Sequence, residues 1–332
     1  MTHPLLSLLL CVSLMILLLL TFTSGCMVEL QVPDVTLPDL PEMTPPFAIG
    51  HAPVDTPRIH EPPVPETPYG TDGTVRVGAF NIQVFGVMKA GKPEVMEILG
   101  RIIRTYDLIG IQEVRDSTGT ALPALLEVVN ARGSNFTSIE SERLGRTISK
   151  EQYAFFYNLD TISLTANGTT YPEPDGTDPF HREPFIASFS VNDGDFDAVF
   201  ILIHTDPDEA GEEIDALSDV VEYARLTYPD EEDVIIMGDL NADGSYFNES
   251  GWSRMKGEEY TWLITNEVDT TTKSTNATYD RIIITSGVLS DYAGEAGIFR
   301  FDSEYGLNQT MTEQVSDHYP VYAIFRMERD ED

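Results

Sequence analysis

Residues 235–243 read I-I-M-G-D-L-N-A-D, and residues 315–321 read V-S-D-H-Y-P-V. Each sets carboxylate, amide or imidazole groups beside a run of strand-forming residues. A hard divalent cation held by Asp and Asn oxygens, with a His next to it, is equipment for attacking a phosphate ester. Outward from these stretches the same arrangement recurs. T-V-R-V-G-A-F-N-I at 74–82 alternates as a half-buried strand does, and L-I-G-I-Q at 108–112 is a short buried strand ending at Glu113. Between them, residues 93–106 put Val95, Ile98, Leu99, Ile102 and Ile103 at helical spacing behind a proline. Further amphipathic helices are expected at 121–131 and 209–226, and further strands at 198–203, 234–237, 281–285 and 321–325.

The polar candidates fall immediately after strands: Asn81, Glu113, His204, Asp239, Asn241, Asp280, Asp317 and His318. In a layered α/β domain, strand ends deliver their loops to one edge, where ligand sites form. That placement points to an enzyme.

The N-terminus reads differently. Residues 4–22 carry no charge and are followed by T-S-G-C ending at Cys26. An apolar segment closed by small residues before a Cys predicts an export signal over 1–26, with Cys26 as a candidate lipidated terminus. The alternative is an uncleaved anchor, because the run is near the ~18–20 residues needed to span a bilayer and no Lys or Arg precedes it. Residues 27–70 hold 11 of the 21 prolines, a composition that favours extended polyproline-like chain over a packed core. Residues 27–71 are therefore expected to tether a single large domain at 72–328 to a membrane or to precede a secreted one. No internal repeat is apparent. The only cysteines, Cys11 and Cys26, lie in the targeting segment, so the exported domain has no disulfide. Sequons at Asn135, Asn167, Asn248, Asn276 and Asn308 fit an exported chain.

Net charge is −35, and only 5 of the 20 basic residues are Lys. Such a surface suits a salt-rich habitat or is that of an ordinary acidic secreted protein. By composition alone it is the wrong charge for a nucleic-acid binder.

Taken singly, Glu113 could be a solvated loop carboxylate, Asn81, Asp239 and Asn241 turn formers, and Asp317 a cap. Together the five supply the oxygen ligands preferred by Mg²⁺ or Mn²⁺. The domain has three histidines, His181, His204 and His318, and two of them stand at strand ends. Phosphodiester hydrolysis needs a base for water and an acid for the leaving oxygen. Two imidazoles, each paired with a carboxylate, meet that need near neutral pH, and Glu151 and Asp280 are available as the carboxylates.

F-N-I-Q-V-F-G, I-Q-E-V-R-D-S, S-E-R-L-G-R, H-R-E-P, M-G-D-L-N-A-D-G-S-Y, D-T-T-T-K-S-T-N-A-T-Y-D-R and V-S-D-H-Y-P-V occur here in the order found in the deoxyribonuclease I family. The chain resembles that family across 74–326. G-D-x-N and S-D-H belong to the wider endonuclease/exonuclease/phosphatase superfamily and do not choose a substrate. S-E-R-L-G-R, R-E-P and Y-G-L-N are more specific to the deoxyribonuclease I branch. The resemblance implies an α/β (α+β) four-layer sandwich, two central, mostly antiparallel β-sheets flanked by helices. It implies an exported, monomeric endonuclease that cuts DNA to 5′-phosphate and 3′-hydroxyl ends. His204 with Glu151 and His318 with Asp280 would be the catalytic pairs, His204 as acid and His318 as base, or the reverse. Asn81, Glu113, Asp239, Asn241 and Asp317 would surround Mg²⁺ and the scissile phosphate, and Arg115 and Arg182 would contact DNA. Asp269, Thr271 and Thr275 match one structural Ca²⁺ site; Asp175, Asp178, Phe180 and Glu183 resemble a second, in a shorter loop.

Three departures stand out. Ser149 replaces an aromatic expected beside the minor groove, Gln83 replaces a basic residue after F-N-I, and Gly244 and Ala277 stand where cysteines are expected. The first two should weaken duplex binding or alter groove preference. Two other readings remain open: a phosphodiesterase acting on lipid headgroups or other phosphoesters, and an inactive DNA-binding surface module.

Overall fold

The computed structural model describes residues 73–328. The expected export signal at 1–26 and the whole of the tether at 27–71 therefore lie outside the described residues. The elements are β1 (Thr74–Phe85), α1 (Val87–Ala90), α2 (Pro93–Ile103), β2 (Leu108–Val114), α3 (Ala121–Asn130), β3 (Phe136–Glu140), β4 (Gln152–Asn158), β5 (Ile162–Thr170), β6 (Phe185–Val191), β7 (Asp197–His204), α4 (Ala210–Thr227), β8 (Val234–Asp239), β9 (Tyr260–Trp262), β10 (Asp280–Thr285), β11 (Tyr292–Ile298), α5 (Phe301–Glu304), α6 (Gln309–Val315) and β12 (Val321–Arg326).

The strands form two six-stranded sheets, ordered β11-β12-β1-β2-β4-β3 and β5-β6-β7-β8-β10-β9. β1/β2 and β7/β8 run parallel, each pair joined through helices, and every other pairing is antiparallel. Apolar side chains from both sheets, among them Phe155, Phe189, Phe200, Leu202 and Ile282, make one core between them. The outer face of the first sheet packs on α2 and α3 through Ile98, Leu99, Ile102 and Leu125. That of the second packs on α4 through Ile214, Leu217, Val220 and Val221. Strands covered on both faces read as unbroken apolar runs, and β8 is buried along its whole length. The result is the four-layer sandwich expected from the resemblance. Among the described residues no helix is long and apolar enough to cross a membrane.

Two glycines let the layers close. A Cβ on Gly110 would lie 2.5 Å from Leu202 Cδ1 of the facing sheet. Gly238, at φ +143°, would put a Cβ 1.9 Å from Ile203 O, breaking the β7/β8 pairing one residue before Asp239.

Helix and strand bounds follow the periodicity to within two residues, except at two ends. α2 stops at Ile103, where Thr105 and Tyr106 bond back three residues and tighten the last turn. β1 runs on to Phe85 through an irregularity in its register with β2. The strand-end rule also needs correction. Asn81 and Glu113 lie within β1 and β2, Asp280 opens β10, and Asp317 and His318 precede β12, rather than following strands. Because β10 and β12 are antiparallel to β8 and β1, their beginnings reach the same edge as the ends of those strands.

Candidate active site

Register brings the first three groups together. His204 and Asp239 are opposite each other at the ends of β7 and β8, and Asp239 is opposite Asp280 on β10. The turn before β12 then lays His318 against Asp280, with Nδ1 2.7 Å from Oδ2. On the other side, Glu151 enters from the residue before β4, and its Oε2 lies 2.9 Å from His204 Nδ1. Each imidazole thus uses Nδ1 on a buried carboxylate and turns Nε2 inward. Both Nε2 atoms face Asp239 Oδ2, at 3.5 Å from His204 and 3.6 Å from His318. One carboxylate lies between two oriented imidazoles.

Electrostatics follows from burial and charge. Burial opposes a positive His318, but Asp280 and Asp239 outweigh it and hold the imidazole up at about 10. Burial and Arg182 oppose a charged His204, yet Glu151 and Asp239 raise it too. Burial would raise Glu151, but His204, Arg182 and Arg115 pull it down to about 2. Asp239 is held below the usual carboxylate range despite its burial, by His318 and His204.

Around this centre, Asn81 gives amide protons to Glu113 Oε1 at 3.1 Å and Asp239 Oδ2 at 3.0 Å. Its oxygen accepts from Gln83 N. As placed, Asn81 relieves the repulsion between two carboxylates instead of offering the oxygen expected of a ligand. Asn241, at φ +46°, donates its backbone N–H to Asp239 Oδ1 and its side-chain amide to Thr205 O. Asp317 Oδ2 pairs with Lys273 at 2.7 Å. Asp317 Oδ1 is buried with no hydrogen-bond partner and only a distant contact, 3.8 Å, to His318 Nε2. A buried carboxylate oxygen left this way is costly unless something positive completes it. Among the described residues, Asp239, Asp280 and His318 are the one His/Cys/Asp/Glu trio whose ligand atoms lie within 4.8 Å of one another. Asp280 is the deepest member and already serves His318. Asp239 shares Asn81 with Glu113 and His318 Nε2 with Asp317, so Glu113, Asp239 and Asp317, whose oxygens do not close within 4.8 Å of one another, are the better set for a hard cation to draw together. Those oxygens fit a hard divalent cation.

The two arginines separate. Arg115 is 34% exposed and joins Glu113 Oε2, at 3.2 Å, to Glu151 Oε1, at 2.8 Å. Arg182, expected at the DNA, is buried and donates to His204 O and Thr205 O. Enclosed this way, it supports the backbone of His204 and holds Glu151 from 3.7 Å.

The first calcium set is gathered: Asp269 Oδ1 accepts from Thr271 N and Oγ1, and Thr271 Oγ1 also reaches Thr275 O. This loop bonds to the active-site turn through Thr272 N to Asp317 O and Tyr319 N to Thr270 O. The second set is looser. Asp178 is engaged by the guanidinium of Arg146 at 2.9 Å, and Phe180 N bonds Glu173, a carboxylate the sequence reading did not include. Asp175, Asp178 and Glu183 do not close into a tight carboxylate group.

Sequence reasoning missed the supports. The hydroxyl of Tyr153 accepts from His204 N at 3.0 Å, and Ser316 Oγ accepts from His318 N and donates to Asn81 O. Ser316 lay in plain view in S-D-H; Tyr153 reads as one more apolar strand residue. Glu213 on α4, wholly buried, accepts from His181 N and Asp206 N, and burial still pushes its carboxyl up to about 7. A raised carboxyl stabilises the fold below its unfolded value near 4.5, and that contribution is lost as pH rises through about 7. Thermal unfolding of wild type and Glu213→Gln at pH 5 and pH 8 should therefore show the wild type losing ground to the variant at the higher pH. Parallel pH dependences would contradict the assignment.

A model of the Endonuclease/Exonuclease/phosphatase family matches residues 78–318. The chain is 38% identical over 259 residues to a deoxyribonuclease-1 from Oryctolagus cuniculus, covering 75% of this chain and 92% of that protein. It is 36% identical to a deoxyribonuclease-1-like 2 from Mus musculus, covering 76% and 92%. Among solved structures, an endonuclease/exonuclease/phosphatase family protein from Bacteroides thetaiotaomicron superposes with a TM-score of 0.55 at 16% identity, covering 78% of this chain and 98% of that one. At that identity the likeness speaks for the fold alone.

Proposed function

The chain belongs to the endonuclease/exonuclease/phosphatase family and is a phosphodiester hydrolase, and we propose that it is an exported, metal-dependent endonuclease acting on DNA. The observation that carries this reading is the convergence of two carboxylate-paired imidazoles on Asp239. The relatives named as deoxyribonucleases give the substrate class.

Hydrolysis to a 5′-phosphate and a 3′-hydroxyl breaks the bond between phosphorus and O3′. His204 Nε2 protonates that leaving oxygen and His318 Nε2 takes the proton of the attacking water, or the two exchange roles. Glu151 and Asp280 keep each ring oriented and stabilise its charged form. A His318 held near 10 is charged at neutral pH, which suits an acid. For it to act as base, Asp239 and Asp317, two of the carboxylates that raise it, must be balanced by positive charge. Glu113, Asp239 and Asp317, with the amides of Asn81 and Asn241 beside them, would hold Mg²⁺ or Mn²⁺, which when bound supplies charge against the developing negative phosphate oxygens. Arg115 adds positive charge at the rim of an acidic domain. Asp269, Thr271 and Thr275 would hold a structural Ca²⁺, and residues 1–71 would export the domain and tether or release it.

The test sets plasmid DNA, RNA and a phosphatidylcholine vesicle side by side, each with Mg²⁺ and with EDTA. We expect cleavage of DNA that EDTA abolishes and that weakens as salt rises. Lipid turnover without DNA cleavage would overturn the reading.

A further inference from the structure

At the end of β1 the backbone takes two successive left-handed steps, Gln83 at φ +43° and Val84 at φ +52°. A β-branched residue keeps such a conformation only where its surroundings impose it. The steps serve the site: Gln83 N bonds Asn81 Oδ1, and Val84 N bonds Glu113 Oε2 at 2.8 Å. Glu113 is itself left-handed, at φ +60°. What holds this bulge is an ammonium. Lys89 Nζ lies 2.8 Å from Ile82 O, 2.6 Å from Gln83 O and 3.0 Å from Val315 O. An ammonium has three protons, and here each has a carbonyl. Two of those carbonyls belong to the strained bulge. The third belongs to the residue before Ser316-Asp317-His318, a turn that also bonds Asn81 O through Ser316.

We propose that Lys89 is a positioning residue, a built-in cation that locks the Ile82–Val84 bulge to the 315–318 turn and so fixes the spacing of Asn81, Glu113 and Asp317 before a divalent ion arrives. The inference rests on reading those residues as the divalent-ion site. Lys89 hydrogen-bonds none of the three, although its charge also lies in the field of Asp317 and Glu113; its protons set the backbone on which they stand. Removing its protons leaves three carbonyls facing one another, and the bulge can relax only by moving Val84 N away from Glu113. The effect is that of a supporting residue beside a metal site, whose loss typically weakens metal binding about 10–100-fold.

The test uses the full chain with Lys89→Met, which keeps the stem and loses every donor, and Lys89→Gln, which keeps an amide. Mg²⁺ affinity is measured by calorimetry without DNA, and amide exchange is followed at 82–84 and 315–318. The expected result for Lys89→Met is Mg²⁺ binding weakened at least ~10-fold. Faster exchange should appear in both segments together, and nicking should be restored by raising Mg²⁺. Wild-type Mg²⁺ affinity in the variant, or faster exchange confined to α1, would overturn the proposal. So would a wild type that binds no divalent ion. Should Lys89→Met fail to fold, Lys89→Gln decides on the same two readings. Wild-type nicking is assayed alongside: its absence would sink the DNA reading while leaving the calorimetric result to judge Lys89.

Discussion

Replacing His318 by Ala is expected to lower the rate of DNA nicking by about 10²–10⁴-fold, the range a single proton-transfer group contributes. Its Nε2 faces the centre of the site and its Nδ1 is committed to Asp280, so no neighbouring group takes over. Fold should survive, since the ring's one aromatic contact among the described residues is a tilted one with Tyr279, 6.2 Å between ring centroids. The variant does leave Asp280 buried without its imidazole, and Asp280 is already pushed upward by burial. That carboxyl would then take up a proton, and unfolding should become easier as pH rises. Initial rates on supercoiled plasmid, with far-ultraviolet circular dichroism on the same samples, check this. Activity within a few-fold of wild type would remove His318 from its role.

Asp239→Asn should be comparably severe by another route. The substitution keeps shape and loses charge at the one carboxylate facing both imidazoles, Asn81 and the backbone of Asn241. Three consequences coincide. A divalent ion loses a charged oxygen ligand, one of the two donors on Asp239, Asn81 Nδ2 or Asn241 N, loses its acceptor, and both histidines lose support for their protonated forms. We expect turnover to fall by about 10²–10³-fold or more, on the scale of removing one preorganised electrostatic group. Calorimetry should find Mg²⁺ binding weakened. His204 and His318, titrated by NMR, should move to lower pKa than in the wild type, because Asp239 raises both. Unchanged Mg²⁺ dependence together with unchanged histidine titration would refute the central place given to Asp239.

Much of the site was legible because its chemistry is tied to strands. G-D-L-N ends a run that is buried on both faces, so Asp239 had to emerge at a sheet edge. The same logic located His204 and Glu113. It failed for Asp280, which opens β10, and for Asp317 and His318, which precede β12, because strand direction is not written in apolar alternation. Side-chain direction was also hidden. Arg182 and Arg115 look alike in sequence, yet one is folded under His204 and the other reaches the rim. Asn81 could be named but not oriented, and its amide protons rather than its oxygen face the carboxylates. Lys89 carried no signal at all. Its three carbonyl acceptors come from residues up to 226 positions away, and the strained steps at Gln83 and Val84 have no glycine to announce them.

The central claim is that two carboxylate-paired histidines hydrolyse DNA at one divalent-metal centre. Supercoiled plasmid treated with the wild type, His204→Ala and His318→Ala in Mg²⁺, followed by end analysis, tests it most directly. Nicked circles with 5′-phosphate ends from the wild type, lost in both variants and in EDTA, are the predicted result. Plasmid left intact by the wild type, or nicked equally by either variant, would contradict it.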